Sequence, residues 1–268
     1  MSKKLHVVII DPQNDFADSK GSLFVPGADT DMKDRLPKFI NRMKSKITDI
    51  HVTLDSHHKV DIAHPIFWRD SNGNHPTPFT TISVTDVERG VWTPTKTNLF
   101  KRAFEYVKSL EANKRYSLMI WPEHCLIGGW GHNVVPELHE ALKNWEQEFA
   151  VVNYITKGSN IFTEHYSAIK AEVPDPTDPS TQLNADFIST LENDADIVVV
   201  AGEASSHCVA NTVRDIADSF QNQQYLSKIV LLTDAMSPVG IAQAAADKFM
   251  DDMKIRGVQM ATTADYLK

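Results

Sequence analysis

Cys208 stands between a run of valines and a segment with helical spacing, in the stretch AGEASSHCVANTVRD at 201–215. A thiolate is a strong nucleophile, and the free N–H groups and positive dipole end of a helix N-terminus lower a thiol pKa. Ala204 and Ser205 are small, so the turn before the helix can be tight and its amides can face a developing oxyanion. The position predicts a nucleophilic cysteine, although a lone cysteine is usually a core residue.

A cysteine nucleophile needs a base that removes the thiol proton and passes it to the leaving group. Asp11 follows the first apolar run and is the available carboxylate. Lys157 follows a later run and could stabilise a thiolate while keeping Asp11 ionised. Taken singly, such an Asp is often a turn former and such a Lys is usually solvated. Together with Cys208 they predict a catalytic set, whereas Cys125 is expected to pack beneath it.

Asp55 and His57 are two residues apart, which in an extended segment places both side chains on one face. His124 supplies a third donor from the end of another apolar run. Two imidazoles and a carboxylate suit Zn²⁺ or a similar divalent ion, with positions left for water or substrate. The segment DSHH could equally form a capped turn with solvated histidines. Other nearby candidate ligands are His58, His64 and His75.

Short apolar runs rich in β-branched residues recur along the chain, most of them followed by a segment with helical spacing. This pattern predicts an α/β fold in three layers: a doubly wound, mostly parallel six-stranded sheet with helices on both faces. The predicted strands are 5–10, 49–54, 116–121, 150–155, 196–201 and 228–233. Ligands of such sheets bind beyond the carboxyl ends of the strands, which is where the candidate residues stand.

Four apolar stripes with helical spacing predict helices that face the core. They lie within 32–47, 99–110, 209–220 and 241–253, and Gly257 is placed to end the last of them. Two regions do not fit a minimal sheet of this kind, 56–95 and 172–182, and both are rich in proline. Proline fixes φ and removes a backbone donor, so these regions are interpreted as ordered excursions or lids.

Charge and composition exclude several classes of partner. The chain has 27 basic against 35 acidic residues, a net charge of −8, and no dense basic cluster, which argues against nucleic acid. No apolar run is long enough for a signal peptide or a membrane span, so a soluble cytoplasmic protein without membrane contact is expected. Two cysteines do not form a disulfide framework. A length of 268 residues favours a single domain.

Five short motifs, in the right order, resemble those of the nicotinamidases and the wider isochorismatase-like cysteine hydrolases. DPQNDF (11–16) is similar to the family's D-x-Q-x-D-F, DSH (55–57) to its D-x-H metal pair, and WPEHC (121–125) to the nicotinamidase W-P-x-H-C. KG (157–158) and GEASSHCV (202–209) are similar to its lysine and nucleophile segments. The resemblance implies one isochorismatase-like hydrolase domain over 1–268, with an extended excursion at about 56–115.

The resemblance also implies a role for each matching residue. The implied triad is Asp11, Lys157 and Cys208, and the implied metal site is Asp55, His57 and His124 with a divalent ion, expected to be Zn²⁺. A cis peptide between Glu203 and Ala204 would orient the amides of Ala204 and Cys208 as an oxyanion hole. Phe16 and Trp121 would flank the ring of an aromatic amide whose pyridine nitrogen takes an open metal position. A homo-oligomer is the expected assembly.

The activity implied is metal-dependent hydrolysis of nicotinamide to nicotinate and ammonia through a thioester acyl-enzyme. Glu203 stands where the family usually has an aliphatic residue, and His207 is rare at its position. The chain is also longer than a typical nicotinamidase, mostly between DSH and WPEHC. Two alternatives remain: hydrolysis of another small amide or carbamoyl compound in a reshaped pocket, and a catalytically silent binding protein that keeps the fold.

Overall fold

The computed structural model describes residues 3–267, and ten strands are assigned within that range. In chain order the strands are β1 Leu5–Ile10, β2 Ile47–Asp55, β3 Trp68–Arg69, β4 Thr81–Ile82, β5 Thr93–Pro94, β6 Leu118–Met119, β7 Asn153–Lys157, β8 Ile197–Gly202, β9 Ile229–Leu232 and β10 Gln259–Ala261. The helices are α1 Asn14–Ala17, α2 Ala28–Thr30, α3 Leu36–Met43, α4 Val84–Glu88, α5 Phe100–Ala112, α6 Pro136–Glu146, α7 Ala185–Ser189, α8 Cys208–Ser219 and α9 Gln243–Ile255. A π-helical turn, Asp31–Arg35, joins α2 to α3.

Six of the strands form one sheet in the order β10-β9-β8-β1-β2-β7, and every neighbouring pair is parallel. From β1 the chain winds outward through β2 and β7 on one side, then crosses back and winds through β8, β9 and β10 on the other. The winding direction therefore reverses between β1 and β8, where a crevice opens beyond the carboxyl ends of the strands. The predicted α/β class with a six-stranded parallel sheet and surrounding helices is confirmed.

One predicted strand of the sheet is wrong. Residues 118–119 form β6, which pairs antiparallel with β4 in a separate two-stranded sheet. The next residues, Ile120 and Trp121, donate their N–H groups to the carbonyls of Thr80 and Ala63, each at 2.8 Å. Because these donors are bonded to the excursion, the segment cannot extend the main sheet. The sixth strand is β10, which was missed because three partly exposed residues leave no clear apolar run.

The predicted helix stripes correspond to α3, α5, α8 and α9, and Gly257, with φ +92, follows the end of α9. Ile241 was assigned to the last stripe but is 82% exposed, because that helix begins at Gln243. Helix α6 was not predicted, although Leu138, Leu142 and Trp145 bury one face of it. It packs against α3, and α8 packs against α9.

The excursion at 56–115 is ordered and contains β3, β4, β5, α4 and α5. Its buried side chains Ile62, Phe67 and Trp68 belong to the same hydrophobic cluster as the strands of the main sheet. A capping box between Ser83 and Asp86 begins α4 and fixes where that helix starts. No helix within residues 3–267 combines the length and apolar character needed to cross a lipid bilayer.

Candidate active site

Four neighbouring strands bring the predicted catalytic residues to one edge of the sheet. Asp11 directly follows β1, Asp55 ends β2, and Lys157 ends β7 as the register partner of Asp55. Cys208 begins α8, shortly after β8. Because all four strands are parallel, their carboxyl ends lie together, and residues nearly two hundred positions apart meet at the switch between β1 and β8.

Lys157 is the centre of the arrangement. Its ammonium Nζ lies 2.9 Å from Asp11 Oδ2 and 2.9 Å from Asp55 Oδ1, and it donates to the Cys208 sulfur at 3.7 Å. The side chain is 1% exposed. Burial opposes its charge, but the carboxylates of Asp11 and Asp55 raise its pKa well above the usual range, so it stays a cation. The structure thus brings the three residues of the predicted triad together.

Burial acts on the Cys208 thiol pKa in the direction opposite to that expected from the helix start. Burial raises the thiol pKa well above its ordinary value; the Lys157 ammonium opposes that rise, and the Asp11 and Asp55 carboxylates add to it. Desolvation acts against the helix dipole because Cys208 is only 8% exposed, although it lines the cavity described below. Burial also raises the pKa of Asp11, and the Lys157 ammonium lowers it. The net shift is a rise, which makes Asp11 a stronger base.

Thr53, on β2, fixes the Asp11 carboxylate. Its hydroxyl donates to Asp11 Oδ1 at 2.5 Å and accepts the Asp11 N–H at 3.0 Å. Asp11 itself adopts a left-handed φ of 44° at the end of β1. Thr53 could not be identified from the sequence, because a threonine inside a strand carries no distinguishing signal.

The turn from Gly202 to Cys208 has the features expected of an oxyanion hole. The peptide between Glu203 and Ala204 is cis, as the resemblance implied. Gly202 has φ +124, and a Cβ there would lie 2.1 Å from the Ile10 carbonyl oxygen, so only glycine fits. Within residues 3–267 the N–H groups of Ala204 and Cys208 find no hydrogen-bond acceptor. These are the two N–H groups that the resemblance implies as an oxyanion hole.

Asp55, His57 and His124 form a compact cluster of possible metal ligands. The Asp55 Oδ2 atom lies 3.1 Å from His57 Nε2 and 3.4 Å from His124 Nε2. The opposite ring nitrogens are also held: His57 Nδ1 lies 3.0 Å from Asp61 Oδ2, and His124 Nδ1 lies 2.8 Å from the Pro122 carbonyl. Histidines that bind metals have such outer partners, which fix the tautomer and leave Nε2 as the ligand.

The charge balance of the cluster also fits a cation. Burial lowers the pKa of His57, yet the carboxylates of Asp55 and Asp61 raise it well above its usual value. The same carboxylates would stabilise a divalent ion. Gly158, with φ +86, lets the backbone pass close to the Asp55 carboxylate, since a Cβ at position 158 would lie 2.9 Å from Asp55 Oδ1. The residues present therefore fit the predicted Zn²⁺ site.

Of the alternative histidines, His64 alone lies against this cluster among the described residues. Its ring centroid is 5.2 Å from that of His57 and 5.5 Å from that of His124. His58 is exposed, and His75 bonds the Trp68 carbonyl at 2.6 Å. Burial lowers the pKa of His64 to about 4, which keeps its imidazole neutral.

We expect Asp61→Asn to weaken Zn²⁺ binding by roughly 10–100-fold. Asn keeps an oxygen for the Ala63 N–H, which donates to Asp61 Oδ1 at 2.9 Å, but its amide cannot accept from His57 Nδ1. Competition with a chromophoric chelator measures the affinity. Asp70→Asn is the control because, among residues 3–267, the Asp70 side chain accepts from its own loop at Asn72 and Asn74. Equal affinities in both variants would contradict the orienting role.

A cavity opens beside the sulfur and the histidine cluster. Phe16 and Trp121, both predicted, line it, and the Phe16 ring meets the His124 ring edge-on with centroids 5.5 Å apart. Most of the other residues that line the cavity belong to no motif, so the sequence does not indicate them. These residues are Leu23, Val25, Glu164, His165, Tyr166 and Val239.

Trp121 is held in place by polar neighbours. Its Nε1 donates to Glu164 Oε2 at 3.1 Å and to the Tyr166 hydroxyl at 3.0 Å. Burial raises the pKa of Glu164 to about 8. Phe79, from the excursion, packs edge-on against the Trp121 ring at 5.9 Å. His207, whose role the sequence left open, lines the cavity. Its ring meets the same indole edge-on, with ring centroids 5.4 Å apart.

Comparisons with known proteins place the fold. No protein-family model matches the chain, and no curated protein sequence matches it. Among solved structures, the chain is similar to the Acinetobacter baumannii nicotinamidase/pyrazinamidase, with 22% identity, a TM-score of 0.66 and 99% of both chains covered. It is also similar to yeast nicotinamidase Pnc1p bound to the inhibitor nicotinaldehyde, with 17% identity, a TM-score of 0.66 and coverage of 96% and 99%.

A third similar structure is the Pyrococcus horikoshii pyrazinamidase in complex with zinc, at 20% identity, a TM-score of 0.58 and coverage of 97% and 99%. The chain therefore has the same fold as these nicotinamidase and pyrazinamidase structures, over essentially their whole length.

Proposed function

We propose that the chain is a metal-dependent cysteine amidohydrolase that converts nicotinamide to nicotinate and ammonia. One observation carries the proposal: the buried Lys157 ammonium contacts the Asp11 and Asp55 carboxylates and the Cys208 sulfur, beside the cavity that Asp55 and Cys208 line. A buried acid, amine and thiol joined in this way serve nucleophilic attack on a carbonyl. Aromatic walls at Phe16 and Trp121 suit a flat ring.

In the first half of the reaction Asp11 removes the thiol proton of Cys208, and the sulfur attacks the carboxamide carbon. The carbonyl oxygen gains negative charge, which the free N–H groups of Ala204 and Cys208 receive. Asp11 then gives its proton to the amide nitrogen, the C–N bond breaks, and ammonia leaves. A thioester on Cys208 remains. Lys157 stabilises the charges on Asp11 and on the sulfur throughout.

In the second half, Asp11 removes a proton from a water molecule, and the resulting hydroxide attacks the thioester carbon. The same two amides hold the oxyanion. The C–S bond breaks, the sulfur recovers a proton from Asp11, and the carboxylic acid product leaves. Microscopic reversibility makes one carboxylate serve as base and acid in both halves.

Asp55, His57 and His124 would hold the divalent ion. When bound, such an ion supplies a Lewis acid that can receive the ring nitrogen of the substrate. Phe16 and Trp121 would then orient the ring so that its carboxamide faces Cys208.

The direct test is ammonia release from nicotinamide by purified protein loaded with Zn²⁺. Nicotinate should accumulate in equal amounts, and pyrazinamide, an isosteric ring amide, should also be hydrolysed. Benzamide lacks the ring nitrogen, so its kcat/KM should be lower. No ammonia from nicotinamide or pyrazinamide, but turnover of another member of a carboxamide and carbamoyl panel, would replace the substrate and keep the mechanism. No turnover of any amide would favour a silent binding protein.

A further inference from the structure

A buried pair of carboxyl groups lies behind the oxyanion turn. Glu203, directly before Ala204, is 0% exposed, and Asp31, in the π-helical turn, is 2% exposed. The Asp31 carboxylate faces the Glu203 side chain. Two acidic groups placed together in the interior cost free energy unless they share a proton or gain partners. The mechanism above uses neither group.

Ser237, in the loop between β9 and α9, ties this pair to the turn. Its N–H donates to Glu203 Oε2 at 3.0 Å, and its hydroxyl donates to Asp31 Oδ2 at 2.6 Å. Its carbonyl accepts the Ser205 N–H at 2.9 Å. The Glu203 carboxyl and the Ser205 backbone are thus fixed to one residue, on either side of Ala204.

The charges around the pair assign one proton to it. Burial raises the pKa of Glu203 well above its ordinary 4.5, and the Asp31 carboxylate adds to the rise. Burial also raises the pKa of Asp31 and Asp234 adds to it, but Arg35, whose guanidinium is 2.9 Å away, lowers it. Glu203 Oε1 has no hydrogen-bond partner of good geometry among residues 3–267, so it can carry the proton. The Ser237 hydroxyl and Arg35 offset part of the rise at Asp31, whose pKa stays above its ordinary value, and we assign the shared proton to Glu203.

We propose that Glu203 is a positioning residue of the oxyanion hole: through its bond from the Ser237 N–H, it anchors the turn so that the Ala204 and Cys208 amides face the carbonyl oxygen. The proposal rests on the proposed amide hydrolysis. An aliphatic residue at position 203 could fill the same space but would leave the Ser237 N–H without its acceptor. This chain therefore holds its oxyanion turn through a hydrogen bond.

The pairing makes activity depend on pH. The Glu203 pKa is raised, so the ordered turn is fully present at low pH and is lost as pH rises through that pKa, when two buried charges repel. Gln at 203 is uncharged at every pH and keeps a carbonyl oxygen for Ser237. The ratio of kcat/KM in Glu203→Gln to that in the wild type should therefore increase from mildly acidic to alkaline buffer.

The experiment compares Glu203→Leu, Glu203→Gln and the wild type in kcat, KM and the inhibition constant for nicotinaldehyde. The Cys208 thiol adds to an aldehyde to give a hemithioacetal: the C–S bond forms, the C=O π bond breaks, and the thiol proton passes through Asp11 to the oxygen. That oxygen then lies in the oxyanion hole, so binding reports on the hole without turnover. The Leu variant should lose roughly tenfold in kcat and in aldehyde affinity, with KM nearly unchanged, since a whole oxyanion donor is worth about 10²–10³. The Gln variant should recover both.

Glu192→Leu is the matched control, because Glu192 is also buried and accepts one backbone N–H, that of Asn222 at 3.1 Å, away from the site. Loss of stability without loss of kcat is expected there. Equal kcat and aldehyde affinity in Glu203→Leu and the wild type, or a Gln ratio independent of pH, would overturn the proposal. The Gln ratio decides the question if the Leu variant does not fold. A wild type that neither hydrolyses amides nor binds the aldehyde would instead refute the proposed function.

Discussion

Cys208→Ala should lower kcat for nicotinamide by about 10⁴-fold or more, because no other group can form the thioester. The side chain is 8% exposed and small, so its removal should leave the far-ultraviolet circular dichroism unchanged. Initial rates of ammonia release give the activity. Mass spectrometry after brief mixing with substrate should show an acyl adduct on the wild type and none on the variant.

Cys125→Ala is the matched control for the loss of a thiol. Cys125 is 0% exposed, as predicted, and burial raises its pKa well above the ordinary value. Its sulfur lies 3.9 Å from the Gly131 carbonyl, in the core. We expect kcat within about threefold of the wild type, with some loss of stability from the small cavity. Full activity in Cys208→Ala would return the protein to the class of silent binding proteins.

Asp11→Asn should lower kcat by about 10³-fold, because the amide cannot accept the thiol proton and general base catalysis contributes about 10²–10⁴. Asn has nearly the same shape and can still accept from the Thr53 hydroxyl, which contacts Asp11 Oδ1. KM should change little, since Asp11 does not line the cavity in which the substrate ring would bind. Steady-state kinetics with nicotinamide provides both constants.

Asp215→Asn is the control for the loss of a buried carboxylate. Asp215 is 2% exposed, on α8, and Asn would still accept from Arg115, whose Nη2 lies 3.0 Å from Oδ1. Its activity should stay near that of the wild type. A loss in Asp11→Asn no greater than in this control would mean that another group removes the thiol proton.

The class of fold could be predicted because parallel strands buried on both faces have a strong local signature. LHVVII at 5–10 coincides with β1, whose side chains are all buried. The segment at 116–121 has a similar composition, but it forms hydrogen bonds with the excursion. That pairing depends on residues distant in the sequence, so the local pattern does not predict it. Strand β10 was not predicted for the opposite reason. Its three residues lack strong β propensity and join the sheet by pairing with β9.

The chemistry of the site could be predicted from the sequence where the type and position of a residue indicate its role. A cysteine at a helix start and a carboxylate with histidine two positions later could be placed at the ends of strands from the sequence. The other residues that line the cavity could not be predicted from the sequence. Glu164 and Tyr166 lie in a segment without regular structure, and only their contacts with Trp121 show that they shape the pocket.

The sequence by itself therefore determined the fold class, the order of the motifs and the residues whose side chains converge, because strand ends in a parallel sheet must meet at one edge. Tertiary structure decided the direction in which the Cys208 pKa shifts, the bonds from Ser237 to Glu203 and Asp31, and the outer partners of the histidines. Those properties depend on desolvation and on distances of a few ångström between residues far apart in the chain. Neither quantity exists until the chain has folded.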